Sequence, residues 1–204
     1  IKRGIKVTGK ELFMKRIIKK GNFGYLQNRR IYTGLRTLLF FALSLGLYGM
    51  GYWSTGTNQN LLTIVAILGC LPACKSAVNF IIFLRASGCS ETLHAKLIDF
   101  DNSEGLQTFY DLYFTSYQKN YPISHMTLRG NVLCGITEST KCDCNGAEKH
   151  LEQMLSQEGI KNVTVKIFSQ NSKYIDRLSQ LEALETSEHK NQDEIISLLY
   201  SISL

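Results

Sequence analysis

Between Glu11 and Glu91 the chain has no acidic residue at all. The six cysteines show no disulfide framework, so free thiols are expected. With two prolines in 204 residues, no proline-rich linker divides the chain. A glycine-rich phosphate loop, a nucleophile elbow and a paired-carboxylate pattern are all missing, so neither a catalytic site nor a cofactor is expected.

What fills the acid-free stretch is apolar. Leu35 to Trp53 is interrupted by charge only at Arg36, and Leu61 to Leu84 only at Lys75. Each run approaches or exceeds the roughly 20 residues that cross a hydrocarbon core of about 30 Å. The connector from Ser54 to Asn60 is polar, uncharged and rich in turn formers, so the runs are expected to form an antiparallel helical hairpin. Three regions follow: a basic juxtamembrane arm over 1–33, a two-pass hairpin over 34–85 and an α+β domain over 86–204.

The net charge of +6 hides an asymmetry. Residues 1–36 carry eleven Lys and Arg against Glu11 alone, whereas residues 85–204 carry eleven basic and sixteen acidic residues. Positive charge beside a span stays on the cytoplasmic side, so both termini are expected there and the neutral loop outside. The first apolar run starts too far along, and is too long, for a secretory signal. The net-acidic domain argues against nucleic acid as a partner.

Thr8-Gly9-Lys10-Glu11 has capping-box spacing and predicts a helix to Lys20, with Leu12, Phe13, Ile17 and Ile18 opposed to the basic side chains. Lys10, Lys15, Arg16, Lys19 and Lys20, with Arg29 and Arg30, are the candidate contacts to an anionic leaflet. Packing of this helix on the acidic domain is the alternative.

In the first span Ala42, Ser44, Gly46 and Gly49 suggest a smooth flank for helix contact, and Tyr48, Tyr52 and Trp53 an outer aromatic belt. In the second, Pro72 predicts a bend, and Lys75 and Asn79 are the intramembrane polar residues. A lysine there marks a functional position or snorkels to the headgroups.

The domain reads as helix, three strands, helix, strand, helix (α-βββ-α-β-α), a sheet covered mainly on one side. Ser90 caps a helix to about Phe100; Thr108–Gln118, Ile123–Arg129 and Val132–Thr137 form an antiparallel meander. Asn145 opens a helix closed by Gly159, Val163–Phe168 alternates as a strand, and a helix from Asn171 or Ser172 carries Ile175, Leu178, Leu181 and Leu184. Ile195–Leu204 is an apolar tail in need of a cover. Asp111 is expected to pair with Arg129 across the sheet.

This element order is similar to the core of restriction-endonuclease-like proteins. That resemblance would imply an Asp near the second strand and a Glu-x-Lys on the third to hold Mg²⁺ and orient water. Neither strand has them, and Glu138 and Lys141 lie past the third strand and one residue too far apart. Cys134, Cys142, Cys144 and His150 are the only conceivable zinc donors, and their spacing departs from that of zinc sites, so no metal is expected.

The sequence therefore points to a membrane-anchored, self-associating cytoplasmic interaction or scaffold protein, acting in localisation, assembly or membrane shaping, with a bacterial inner membrane as its expected setting. Its partners would be the lipid bilayer with its anionic lipids, a second copy of itself and a cytoplasmic protein. The alternatives are a subunit of an oligomeric channel or transporter that uses Lys75, and an inactive or divergent nuclease-like domain tethered to the membrane.

Overall fold

A computed structural model describes residues 18–57, 60–103, 105–117, 119–184 and 191–204. Among them are six helices and one four-stranded sheet, a mixed α+β architecture. Helix α1 (Tyr25–Thr55) and helix α2 (Leu61–Arg85) are both long and apolar enough to cross a membrane. Helix α1 starts ten residues before its apolar run, so Tyr25 to Thr33, read in sequence as part of an arm, belong to the first part of this helix. Asn60 caps α2 by accepting from the Thr63 N–H at 2.8 Å. Pro72 lies inside α2, which continues through it to Arg85.

The two helices meet along a seam of small residues. Thr37 shares a hydrogen bond with Ser76 at 2.8 Å, and a Cβ added to Gly69 would fall 2.8 Å from Ser44 Oγ. Gly51 likewise faces Asn60 and Leu62, and Gly34 faces the Phe80 ring. Thr37, Ser44 and Gly51 recur every seven residues, as do Leu62, Gly69 and Ser76, the repeat of left-handed helix packing. Gly46 and Gly49 are not in the seam: nothing lies within 4 Å of a Cβ at either.

Helix α3 (Glu91–Leu97) is capped by Ser90, whose hydroxyl accepts from the Leu93 N–H, and a 3-10 turn follows at Phe100–Asn102. Strands β1 (Gln107–Thr115), β2 (Asn120–Arg129) and β3 (Val132–Ile136) form the antiparallel meander, and β4 (Thr164–Phe168) adds parallel to β3. Helix α4 (Cys144–Gln157) is capped by Asp143 rather than Asn145, because the Asp143 carboxylate accepts from the Gly146 N–H. Helices α5 (Asn171–Glu182) and α6 (Gln192–Ile202) complete the fold.

Both faces of the sheet are covered, not mainly one. Leu151 and Leu155 of α4 with Ile195 and Leu199 of α6 pack on Phe109, Ile123, Leu133 and Val165. On the other face Leu93 and Leu97 of α3 with Tyr174, Leu178 and Leu181 of α5 pack on Tyr110, Cys134 and Ile136. The apolar tail is thus a helix, and the sheet of its own chain covers it. Alternation fails at one place: Phe109, Leu112 and Phe114 all face α4 and α6, as do Ile123 and Met126 opposite them. The break falls at Asp111, whose φ of 57° is left-handed.

Candidate functional site: the base of the helical hairpin

The left-handed turn at Asp111 leaves its carboxylate buried between the sheet and the hairpin ends. Oδ1 accepts from the Cys89 N–H at 2.7 Å and Oδ2 from the Leu26 N–H at 3.3 Å. Gly24, which precedes α1, has no side chain to cap it, so a carboxylate 85 positions from Leu26 supplies the acceptor that the helix N-terminus lacks. Gly88 makes room, since a Cβ there would stand 2.7 Å from Asp111 Oδ1. Burial raises the Asp111 pKa, and the surrounding amides pull the other way. The expected Asp111–Arg129 pair does not form: Asp111 falls between the paired positions Tyr110–His125 and Leu112–Ile123, away from Arg129, which donates to the Leu184 carbonyl just past α5.

Other groups close the same junction. Arg30 donates to the carbonyls of Phe83 and Ala86 at 3.2 and 2.9 Å, satisfying the C-terminal end of α2. Lys20 does the same for α6 through Tyr200 O and Ser203 O, and burial first, then the nearby Arg29 charge, lowers its pKa. Gly21 O accepts from the Tyr110 N–H at 2.7 Å, covering the free edge of β1. Tyr25, Leu26, Ala86 and Tyr113 form a small apolar core between hairpin and sheet.

Beside this junction lies a buried polar chain that the sequence did not reveal. His125 Nδ1 and Tyr174 OH are 2.7 Å apart, and Tyr174 OH lies 3.2 Å from Thr127 Oγ1. Tyr110 OH donates to Asp101 Oδ2 at 2.9 Å. Asp101 Oδ1 and His125 Nε2 face each other at 3.8 Å, beyond hydrogen-bond range. Burial lowers the His125 pKa more than the Asp101 carboxylate raises it. Burial alone would raise Asp101, but the polar side chains around it, His125 and Tyr110 among them, hold it below the usual carboxylate range. Phe23 stacks on His94 at 4.0 Å and meets the Tyr110 edge, so the segment entering α1 covers this chain. His125 and Tyr174 are fully buried; the arrangement resembles a catalytic relay in composition, but its place is that of core polar packing.

The residues singled out in sequence fall in several places. Lys10, Lys15, Arg16 and the Thr8–Glu11 capping pattern lie outside the described residues. Lys19 is exposed, Lys20 and Arg30 serve as helix caps, and Arg29 Nε donates to Tyr25 OH at 3.2 Å with its guanidinium over the Tyr25 ring. In α2, Pro72 and Lys75 are exposed and Asn79 is half-buried, and Lys75 is not in the seam with α1. Cys134 packs against the α3 and α5 face, whereas Cys142 and Cys144 pack against the α4 face, so the sheet separates them. Burial raises the thiol pKa of all three, leaving them protonated near neutrality, and His150 lies against Tyr121. Among the described residues no cluster of His, Cys, Asp or Glu is arranged to hold a metal ion.

At the nuclease-like positions, Glu138 is engaged by the Ser90 N–H at 2.8 Å, and with Lys141 it lines a small cleft with Ser87 and Gly88. No protein-family model, curated protein or solved structure matches the chain.

Proposed function

We propose that the chain is a membrane-anchored protein in which a two-pass helical hairpin holds an α+β interaction or scaffold domain at the cytoplasmic face, acting in localisation, assembly or membrane shaping. One observation carries this reading. The most apolar stretches of α1 and α2 are only 11% and 17% buried, although a core helix of the same composition would be largely covered by its own protein. Leu38, Leu45, Ile67 and Leu71 all point outward, and a hydrocarbon phase is the environment in which that surface is stable.

The base of the hairpin supports a fixed rather than a loosely tethered domain. Asp111, Arg30 and Lys20 satisfy helix ends across the junction, so the domain and the spans hold one orientation. Basic residues at this end and an uncharged loop at the other favour the cytoplasm for the domain and for both termini, with a bacterial inner membrane as the proposed setting. Self-association is part of the proposal: Gly46 and Gly49 leave an open strip of α1 that a second hairpin could approach closely. Lys75 does not line the contact between α1 and α2, so a conduction path would have to be assembled from several hairpins.

The reading is tested on the full chain expressed in bacterial membranes. Carbonate washing is expected to leave it in the pellet, and mass measurement in lipid nanodiscs to show more than one copy. Release into the supernatant would overturn the anchor, and a single copy at all concentrations would overturn self-association.

A further inference from the structure

We propose that the hairpin carries a binding site for the phosphate group of an anionic phospholipid, formed by Arg36 of α1 and Lys75 of α2 on the domain side of the bilayer. The site rests on the reading of α1 and α2 as bilayer-crossing helices.

The two cations stand at one height. Arg36 Nε donates to Ser76 Oγ at 3.2 Å, and Lys75 is the residue next to Ser76. Ser76 itself is buried in the seam and held by Thr37, while Lys75 is exposed on the outer surface of the hairpin. At about 1.5 Å per residue, Arg36 lies about 8 Å from Ile31, the first large exposed apolar residue of α1, and about 25 Å from Trp53. Both cations are therefore nearer the domain end, within snorkelling range of its headgroups.

Neither cation forms an ion pair among the described residues. No Asp or Glu occurs anywhere from residue 12 to residue 90, so the hairpin cannot neutralise the pair, and a second copy of the same hairpin cannot do so either. Self-association would multiply the problem. Of the Arg36 donors, only Nε is engaged by Ser76, and Lys75 makes no hydrogen bond or ion pair among the described residues. An unpaired cation at membrane depth is costly, and the anion abundant at this height is the lipid phosphate, which a guanidinium binds with two parallel N–H donors. A doubly positive site prefers a lipid with net negative charge over a zwitterionic one, whose own amine competes for the phosphate.

The test is native mass spectrometry of the full chain in detergent, titrated with phosphatidylglycerol, phosphatidylcholine or inorganic phosphate. Phosphatidylglycerol is expected to bind about tenfold or more tightly than phosphatidylcholine. Lys75→Met should cut that ratio, Arg36→Gln with Lys75→Met should bring it near unity, and Lys173→Gln on the surface of α5 should leave it unchanged. Equal binding of the two lipids by the native chain, or an undiminished preference in the double variant, overturns the site. Displacement of the lipid by inorganic phosphate at equal concentration overturns the lipid in favour of a free anion. Carbonate washing separates the two levels: a chain that is stripped off removes the crossing helices and the site together, whereas a retained chain without lipid preference removes the site alone.

Discussion

Asp111 Oδ1 accepts the backbone N–H of Cys89 at 2.7 Å, joining the first strand of the sheet to the chain as it leaves the helical hairpin. The other oxygen of the same carboxylate accepts from Leu26, where the chain enters it. One side chain thus fixes both ends of the hairpin, which is why a non-glycine residue with positive φ is tolerated in the middle of β1.

Removing that acceptor leaves two amides without a partner. Asp111→Ala is expected to destabilise the full chain by about 2–5 kcal/mol, from the cost of unsatisfied buried donors, and Asp111→Asn by less, because one acceptor remains. Thermal unfolding in detergent measures both. An alanine variant as stable as the native chain would show that the junction does not depend on this residue.

His125 sets the acid limit of the domain. Its folded pKa lies below the usual imidazole value of about 6.5, so the folded state binds the proton less readily than the unfolded chain. The stability it contributes is complete above about pH 6.5 and is lost as the pH falls through the lower folded value. Asp101 acts in the same direction further down, because its pKa is also held below the ordinary carboxylate range of about 3.9. Melting temperature between pH 7.5 and pH 5 should fall in the native chain and fall less steeply in His125→Gln, which is less stable overall; His150, its pKa also lowered by burial, keeps part of the slope. An equal slope in both would assign the acid sensitivity elsewhere.

The seam fixes the register of α1 against α2. With Cys70 and Cys74 replaced by serine, Thr37→Cys with Ser76→Cys should cross-link on mild oxidation, because the native hydroxyls are 2.8 Å apart. Gly46→Cys with Ser76→Cys should not. Gly69→Leu, which drives a side chain into Ser44, should weaken the first cross-link. Read out as a mobility shift on a gel, efficient linking of the Gly46 pair would contradict the seam.

Much of this architecture was legible in the residues. The two apolar runs, the Ser90 cap, the antiparallel meander and the alternation of Val165 and Ile167 each express a local rule, and each stands in the structure. What could not be read involves partners distant in sequence. Nothing local makes Tyr25 a helix start, because its cap comes from Asp111. The shift of facing at Asp111 spoils the period-two pattern around it, and so hides which aromatic residues share a face. The sequence-based flank of Ala42, Ser44, Gly46 and Gly49 held one seam residue, Ser44, but missed the seven-residue recurrence of Thr37, Ser44 and Gly51, which marks the contact. Ile195, Leu198, Leu199 and Ile202 have the spacing of one helical face; read as an uncovered tail, they concealed the second layer on the sheet.

In the proposed topology the hairpin crosses the bilayer twice and leaves the α+β domain on the cytoplasmic side. The most direct test of this topology uses single cysteines in a cysteine-free chain, at Thr57 in the loop and at Ser179 on α5, treated with a membrane-impermeant maleimide in intact spheroplasts and after permeabilisation. The loop position is expected to be labelled in intact spheroplasts and the α5 position only once the membrane is opened. Labelling of both positions in intact spheroplasts, or of the α5 position alone, would contradict it.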